Sequence, residues 1–465
     1  MLAAEAIQDV FSRLFVYTTI ADGYTRAERF DDAVVVLNRA LRYIPQTPLD
    51  SQRAEVLSEI ARQFVRADNV DAARVQLTRA LSIAQEIDEE RRRGLVLQTI
   101  VDVCFEGGEA FFDILREAIE AVYIIEDVSV RSGVLIEAAR QYQETGIGQS
   151  VEALVQQSIP AASSIENPWL KAERYTEIAL RYFVAQEREQ AEEFASRAVE
   201  EIESVTVVSR TFDDTIRLLT VSRNLARIGR FDDAIAVALT IELPHLRARA
   251  FVQIADLYAR AGATQAARAL LDSAVQAIEV ELETFQLAES YAEIAAEYAR
   301  LNDRTLSLLN ADFALELAPE IEDPYQRSAV IERVVDVYLS VEDFDRAREA
   351  LALVDDPYIQ ASVMVDTAAA LVQGNQADVA RVILDLAEDT AGRATYLRDE
   401  LYRNLALAYL ELDDVERSLM MAAEIEDGYA VALALAQIGQ SVLTPDTAVA
   451  REILADIERE VRRIL

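Results

Sequence analysis

The chain has 465 residues, a net charge of -37 and 52% hydrophobic residues. It contains one cysteine, Cys104, and one histidine, His245, which excludes an internal disulfide and a zinc site built from Cys and His ligands. Because so acidic a chain repels phosphates and anionic lipids, we expect no nucleic-acid partner and no membrane insertion.

The N-terminal residues 1–5 lack the basic region and the apolar stretch of a signal peptide. The apolar runs are short and interrupted by charge, so none is predicted to span a bilayer. These features predict a cytoplasmic protein, whereas an extracytoplasmic location would require a leader that had already been removed.

A tyrosine-centred pattern recurs along the chain, mostly every 40 or 33 residues. The clearest copies read Ile-Ala-x-x-Tyr, and the tyrosine slot is filled in turn by Tyr24, Phe64, Cys104, Tyr142, Tyr182, Leu225, Tyr258, Tyr298, Tyr338, Leu371, Tyr409 and Val442. A near-fixed period over the whole length predicts a stack of repeats rather than a few globular domains.

Each copy opens with a predicted helix. The residues seven, four and three positions before the tyrosine slot form its contact face. The seven-before slot always holds a large apolar residue, and the three-before slot mostly holds a small one, such as Ala21, Ala61 or Ala255. These spacings share one helical face, and a small residue opposite a large one lets two helices approach closely. Tyrosines of the tyrosine slot, including Tyr258, are therefore predicted to lie in the core.

A second predicted helix follows a turn in each copy. Alanine stands nine residues after the tyrosine slot in many copies, and a second alanine follows seven residues later. Those alanines are Ala33, Ala73, Ala191, Ala234, Ala267, Ala347 and Ala380, and then Ala40, Ala80, Ala198, Ala274, Ala314 and Ala387. The prolines, including Pro160, are predicted between hairpins and outside helices, except for Pro445 in the turn of the last copy.

These slots resemble the Trp, Leu, Gly, Tyr, Ala and Pro positions of the tetratricopeptide repeat family. The copies here are a mixture of 33 and 40 residues long, and the third and fourth copies lack the alanine in register. The resemblance covers about residues 10–460. It implies an all-α, right-handed superhelix of about twelve helical hairpins, forming a single solenoid over 1–465. The copies would span 10–48, 49–88, 89–127, 128–166, 167–205, 206–244, 245–282, 283–323, 324–357, 358–393, 394–428 and 429–465.

The resemblance also implies that the first helices line a concave face. In copies six to eight, the slots that would point there hold Arg223, Arg227, Arg249, Arg260 and Arg300. Arginine recognises carboxylates through paired hydrogen bonds, so this face is predicted to bind an acidic peptide or a C-terminal carboxylate.

A salt-bridge ladder between repeats is the alternative interpretation of these charges. The slot two residues before the tyrosine holds Asp22, Arg62, Asp102 and Arg140 in the first four copies. Opposite charges on neighbouring first helices would pair there, each exposed pair contributing about 0.2–1 kcal/mol. Three of the predicted ligand-binding arginines, Arg227, Arg260 and Arg300, lie outside this slot.

Four aromatic residues outside the predicted core slots are candidates for a role in the groove or at a junction between copies. Phe15, Phe105 and Phe183 occupy concave slots and are further groove candidates, whereas Trp169 opens the fifth copy and serves either junction packing or ligand stacking. Cys104 takes a core slot, which predicts a buried, unreactive thiol.

The sequence therefore predicts a non-catalytic scaffold that binds a protein or peptide, without cofactor or metal. It contains no glycine-rich phosphate loop, and His245 lies in an inter-repeat turn, so an enzyme is not predicted. Three alternatives remain: a self-assembling scaffold that uses its terminal helices, a solenoid that binds a small molecule, and a regulatory fragment whose catalytic or DNA-binding domain lies outside this chain.

Overall fold

The structure is a computed structural model that describes residues 5, 7–145, 151–205, 211–281, 283–354, 356–374 and 376–442. Within these ranges all regular secondary structure is helical and no strand occurs. The predicted all-α fold of helical hairpins is confirmed. Packing divides the chain into two compact units, one formed by residues 1–161 and 395–465 and the other by residues 162–394.

Eight described α-helices of the first unit precede the second unit in the chain, and three follow it. They are α1 (Val10–Arg26), α2 (Phe30–Ala40), α3 (Asp50–Arg66), α4 (Val70–Gln85), α5 (Glu90–Gly107), α6 (Phe112–Tyr123), α7 (Val128–Thr145), α8 (Val151–Ser163, which ends just past the boundary), α21 (Arg398–Glu411), α22 (Val415–Ala423) and α23 (Gly428–Val442). Here α21 to α23 take their numbers from chain order, after the helices of the second unit.

The second unit is a continuous run of helices. They are α9 (Pro168–Val184), α10 (Arg188–Glu203), α11 (Phe212–Ile228), α12 (Phe231–Leu239), α13 (Pro244–Arg260), α14 (Thr264–Ile278), α15 (Thr284–Arg300), α16 (Arg304–Leu317), α17 (Pro324–Ser340), α18 (Phe344–Leu351), α19 (Pro357–Gln373) and α20 (Ala377–Ala391). In both units a first, odd-numbered helix packs against the second helix that follows it, as in α3–α4, and against the next first helix, as in α3–α5.

The small residues of the repeat mark the contacts between helices. The three-before slot is buried in all twelve copies, and the alanines listed above for the second helices are all buried. The seven-before slot is buried in every copy except the one that holds Tyr291, which is half-buried. Helices therefore meet where a small residue faces a large apolar one, as the spacing predicts.

The tyrosine slot is less uniform than predicted. Tyr182, Tyr298, Tyr338 and Tyr409 are buried, but Tyr24, Tyr142 and Tyr258 are only half-buried, so the assignment of these three to the core is wrong. In the copy of Tyr258 the neighbouring helix is short. The preceding second helix, α12, has nine residues, whereas α14 and α16, which precede Tyr298 and Tyr338, have 15 and 14. A shorter neighbour covers less of the ring, and Tyr258 stacks instead on half-buried Phe231, with ring centroids 3.9 Å apart.

The turn inside each hairpin has a repeated backbone conformation. The fourth residue after the tyrosine slot has a positive φ in most copies, and in several of them it is not glycine, as at Asp68 (φ 55°) and Glu342 (φ 58°). The N–H of the following residue donates to the carbonyl of the slot residue, for example from Asp343 to Tyr338 at 2.7 Å. This bond closes the C-terminus of the first helix and sets the angle at which the second begins.

The prolines mostly mark helix starts, with one exception. Pro168, Pro244, Pro324 and Pro357 each stand in the first turn of a first helix, where the missing N–H costs nothing. Pro160 lies inside α8, so its predicted place between helices is wrong. Only three residues of α8 follow it, so little helix lies beyond the missing N–H. Pro445 lies outside the described residues.

Helix α23 contacts both α21 and α1 within the first unit. It contains no charged residue, and its residues Val431–Leu435 are all buried, because α23 packs against both α21 and α1. Among the described helices, none has both the length and the apolar character that crossing a bilayer demands. The division into twelve copies remains a prediction, since the chain after Val442 lies outside the described residues.

Candidate functional site

The candidate site is the exposed surface of the odd-numbered helices, here called the first-helix face. In the second unit it carries all five arginines that the sequence singles out: Arg223 and Arg227 on α11, Arg249 and Arg260 on α13, and Arg300 on α15. The three helices are successive first helices packed side by side. The structure thus brings the five residues onto neighbouring elements, and their carboxylate partners decide what each can do.

Arg249 forms ion pairs with a neighbouring helix. Its Nη2 lies 2.8 Å from Glu293 Oε1 and 3.2 Å from Glu289 Oε2, both on α15. Arg333 on α17 reaches the same two carboxylates from the other side, at 2.7 and 3.2 Å. Two arginines on flanking helices therefore neutralise the pair of glutamates, and the arrangement ties three first helices together.

Asp256 pairs with two further arginines. Arg260 Nη2 lies 2.8 Å from Asp256 Oδ2, and Arg300 Nη1 lies 3.6 Å from Asp256 Oδ1 on the neighbouring helix and 2.9 Å from buried Glu297. Although Arg260 and Arg300 lie outside the two-before slot, their long side chains reach Asp256, which fills that slot in the seventh copy. Both nevertheless remain largely exposed, at 70% and 63% of the side-chain surface.

Arg223 and Arg227 differ from the other three. They are exposed, one helical turn apart on α11, and within the described part of the chain neither has a carboxylate at ion-pair distance. Burial and the charge of Glu177 raise the pKa of Glu173 on α9. The positive charges of Arg174, Arg217 and Arg223 oppose this rise. These two guanidinium groups are available to a ligand.

The first unit has its own ladder on the first-helix face. Arg62 Nε lies 2.7 Å from Glu106 of α5, and Arg66 Nη1 lies 3.2 Å from Asp22 of α1. Asp22 thus pairs with Arg66 of the next first helix and with Arg26 of its own, whereas Arg62 pairs with Glu59 and Glu106. Burial and the charge of Glu137 raise the pKa of Asp102 to about 6, although Arg62 and Arg140 pull it down.

A group of carboxylates with few compensating cations lies on α17 and α19. Burial, followed by the charges of Asp366 and Asp336, raises the pKa of Glu332 to about 6, and Arg333 only partly offsets this. Burial also raises the pKa of Asp366. The ionised form of Glu332 therefore weakens the fold at neutral pH.

We expect Glu332→Gln to stabilise the protein at neutral pH by about 1 kcal/mol, after allowing for solvent screening of a half-buried group. The folded pKa lies above the unfolded value, so the wild type regains this stability as the pH falls through about 6 towards 4. Chemical denaturation at both pH values measures the effect. An equal gain from the glutamine at neutral and at acidic pH would show that ionisation is not its source.

The four aromatic candidates separate clearly by exposure. Phe105 is 3% exposed and packs edge-on against Tyr142, with centroids 4.4 Å apart, so its prediction as a groove residue is wrong. The ring of Tyr142, from the next first helix, covers it. Phe183 is half-buried, Trp169 is 2% exposed as junction packing requires, and Phe15 is 51% exposed.

The unique cysteine and histidine take structural positions. Burial raises the pKa of Cys104 to about 12, which keeps the thiol protonated, as the sequence predicts. His245 Nδ1 lies 2.8 Å from Glu281 Oε2 at the junction where α13 begins. In the described ranges, no group of histidine, cysteine and carboxylate side chains has the geometry to hold a metal ion.

Comparison with known proteins gives no functional assignment. No protein-family model and no curated protein matches the chain. It is similar to the solved structure of Ton1535 from Thermococcus onnurineus NA1, at 16% identity over 73% of this chain and 98% of that one, with a TM-score of 0.29. A human IFIT1 dimer with PPP-AAAA shares 13% identity over 90% and 91% of the two chains, with a TM-score of 0.29. A Rap protein complexed with Competence and Sporulation Factor shares 14% identity over 82% and 98%, with a TM-score of 0.27. Likenesses this distant carry no argument, so the helical-repeat fold rests on the structure itself.

Proposed function

We propose that this chain is a non-catalytic scaffold that binds a protein or peptide on its first-helix face, and that the second unit recognises acidic side chains or a C-terminal carboxylate. The observation that carries the proposal is the pair Arg223 and Arg227, which are exposed on α11 and have no carboxylate at ion-pair distance among the described residues. In a chain with 82 acidic and 45 basic residues, two neighbouring cations with no carboxylate so close in the part of the chain that the structure describes are unexpected.

The five candidate arginines divide by role in this proposal. Arg223 and Arg227 bind the ligand, and Arg260, exposed beside them on α13, adds a third contact when its side chain turns from Asp256. Arg249 and Arg300 instead hold α13 and α15 together through Glu289, Glu293 and Asp256. The resemblance of the repeat to tetratricopeptide units supports a role in binding rather than catalysis.

Self-assembly through terminal helices is the less favoured alternative. The first and last helices that the structure describes, α1 and α23, pack against each other in the first unit, which leaves less of their surface for such an assembly. The positions of Cys104 and His245 likewise favour binding over covalent catalysis, because one is buried as a thiol and the other is held by Glu281.

We expect the double reversal Arg223→Glu and Arg227→Glu to weaken binding of acidic peptides at least tenfold. Losing a charge-assisted contact costs about 1.5–3 kcal/mol, which corresponds to roughly tenfold or more in affinity. Both side chains are exposed, so the melting temperature should change little. A peptide array scored for acidic, basic and apolar ligands identifies the probe, and fluorescence anisotropy then measures its affinity.

The matched control is the double reversal Arg116→Glu and Arg188→Glu. Both residues are exposed on second helices, α6 and α10, and the change in net charge is the same. If this control weakens binding as much as the α11 reversal, the effect comes from overall charge and not from a site. Enrichment of basic or apolar peptides on the array would also contradict the proposal.

A further inference from the structure

A separate cavity lies on the first-helix face of the first unit, between α1 and α3. Its volume is about 160 Å³, its surface is almost wholly apolar, and it is lined by Phe11, Leu14, Phe15, Thr18, Glu55, Val56 and Glu59. Leu14 is fully buried and Val56 is 8% exposed, so they form the floor, while the rings of Phe11 and Phe15 stand 41% and 51% exposed. The cavity is open to solvent and ready to take an apolar group.

The size of the cavity limits what it accepts. An engineered cavity of about 150 Å³ lined by aliphatic and aromatic side chains takes up benzene. The cavity between α1 and α3 therefore has room for one large apolar side chain, such as that of phenylalanine or leucine. Two exposed phenylalanine rings at its edge are the kind of apolar surface that a partner covers.

The rim of the cavity is negatively charged. Glu55 is exposed and, within the described part of the chain, has no cation at ion-pair distance. Glu59 is half-buried and already pairs with Arg62 Nη1. The free charge beside the cavity is thus that of Glu55, and the -37 charge of the chain attracts basic partners to it.

The repeat extends this site along a line. Phe15, Glu55 and Leu95 occupy the same slot, nine residues before the tyrosine slot, in three consecutive copies. Leu95 on α5 is 56% exposed, and α1, α3 and α5 pack side by side. Neighbouring helices lie about 8–10 Å apart, which an extended chain spans in about three residues.

We propose that this line, formed by Phe15, Glu55 and Leu95, binds an extended basic segment of a partner protein. The segment carries a large apolar side chain at its first position, arginine or lysine at its fourth and a second apolar side chain at its seventh. The first apolar side chain enters the cavity beside Phe15, the basic group pairs with Glu55, and the second apolar side chain contacts Leu95. This site is independent of the arginines on α11 and prefers the opposite ligand charge.

The test measures fluorescence anisotropy with labelled twelve-residue peptides. One peptide has Phe, Arg and Leu at the first, fourth and seventh positions in a background of glycine and serine; a second has Glu at the fourth; a third moves the same three residues to the first, third and fifth. We expect the first peptide to bind at least tenfold more tightly than the other two. Phe15→Ser should weaken its binding about tenfold, and Glu55→Arg should reverse the preference to the Glu peptide.

Controls lie on the second helices. Val75→Ser on α4 and Glu117→Arg on α6 replace an exposed apolar and an exposed acidic residue outside the site and should leave binding unchanged. The proposal is overturned if no peptide binds below about 1 mM, if the spacing of the three residues has no effect, or if Glu55→Arg keeps the wild-type preference. Since Glu55 is exposed, its variant tests the site even if Phe15→Ser perturbs folding. Reversal of Arg223 and Arg227 should not alter these results.

Discussion

Replacing Tyr338 with alanine is expected to lower the free energy of unfolding by about 3–5 kcal/mol, as large-to-small aromatic changes in cores do. The ring is 1% exposed, and its hydroxyl donates to Asp312 Oδ1 at 2.7 Å on the preceding second helix. Arg346 also binds Asp312, at 2.9 Å. The truncation therefore leaves a cavity between two hairpins and removes one of the two partners of Asp312.

Tyr258→Ala is the matched control, because it is the same substitution in the same slot of another copy. Tyr258 is half-buried, so we expect it to lose less than half as much stability as Tyr338. Tyr338→Phe, which removes only the hydroxyl, should cost about 1 kcal/mol. Denaturation followed by circular dichroism measures all three. Equal losses at Tyr258 and Tyr338 would mean that hairpin length does not govern how the tyrosine slot is covered.

Enlarging a small contact residue is expected to have the second large effect. Ala267 on α14 is fully buried in the slot nine residues after the tyrosine, where a small residue marks the contact between helices. Ala267→Leu should destabilise the protein by about 1–3 kcal/mol or more, because the added atoms force the helices of the hairpin apart. The same repeat slot is filled by alanine in seven copies, which is what a steric limit predicts.

Ala269→Leu provides the control on the same helix. Ala269 lies two residues further along α14 and is exposed, so leucine there meets solvent and should change stability by less than about 0.5 kcal/mol. Thermal melts of the two variants compare them directly. If both substitutions cost the same, the destabilisation reflects leucine in this helix and not close packing at Ala267.

Part of the candidate site was predictable from the sequence and part was not. The repeat register predicted that Arg223 and Arg227 point away from the buried face of α11, and both are exposed there; that they line a concave surface remains a prediction. The ladder predicted in the two-before slot did not include Arg249, although Glu289 fills the same nine-before slot in the next copy. The second contact of Arg249, with Glu293 four residues further on, depends on how the two helices are offset. An arginine side chain reaches about a helical turn in either direction, so the nearest carboxylate is decided by three-dimensional distance.

The sequence by itself determined the helical hairpins, the buried face of each helix and the close contacts at alanine. These follow from local rules, since a helix places residues three, four and seven apart on one face and only small side chains let two helices touch. Cys104 belongs to the same set, because its slot already marked it as core.

Only the tertiary structure decided which outward residues are covered. Phe105 is buried because Tyr142 of the next first helix lies over it, whereas Phe15 stays open beside a cavity. Tyr258 is half-exposed because the helix before it is short, and the turn at Glu342 adopts a positive φ without glycine because the hairpin packing and the hydrogen bond to Tyr338 hold it there. For Phe105, Phe15 and Tyr258 the outcome depends on atoms from a different helix, and their distance cannot be inferred from the spacing of residues along one helix.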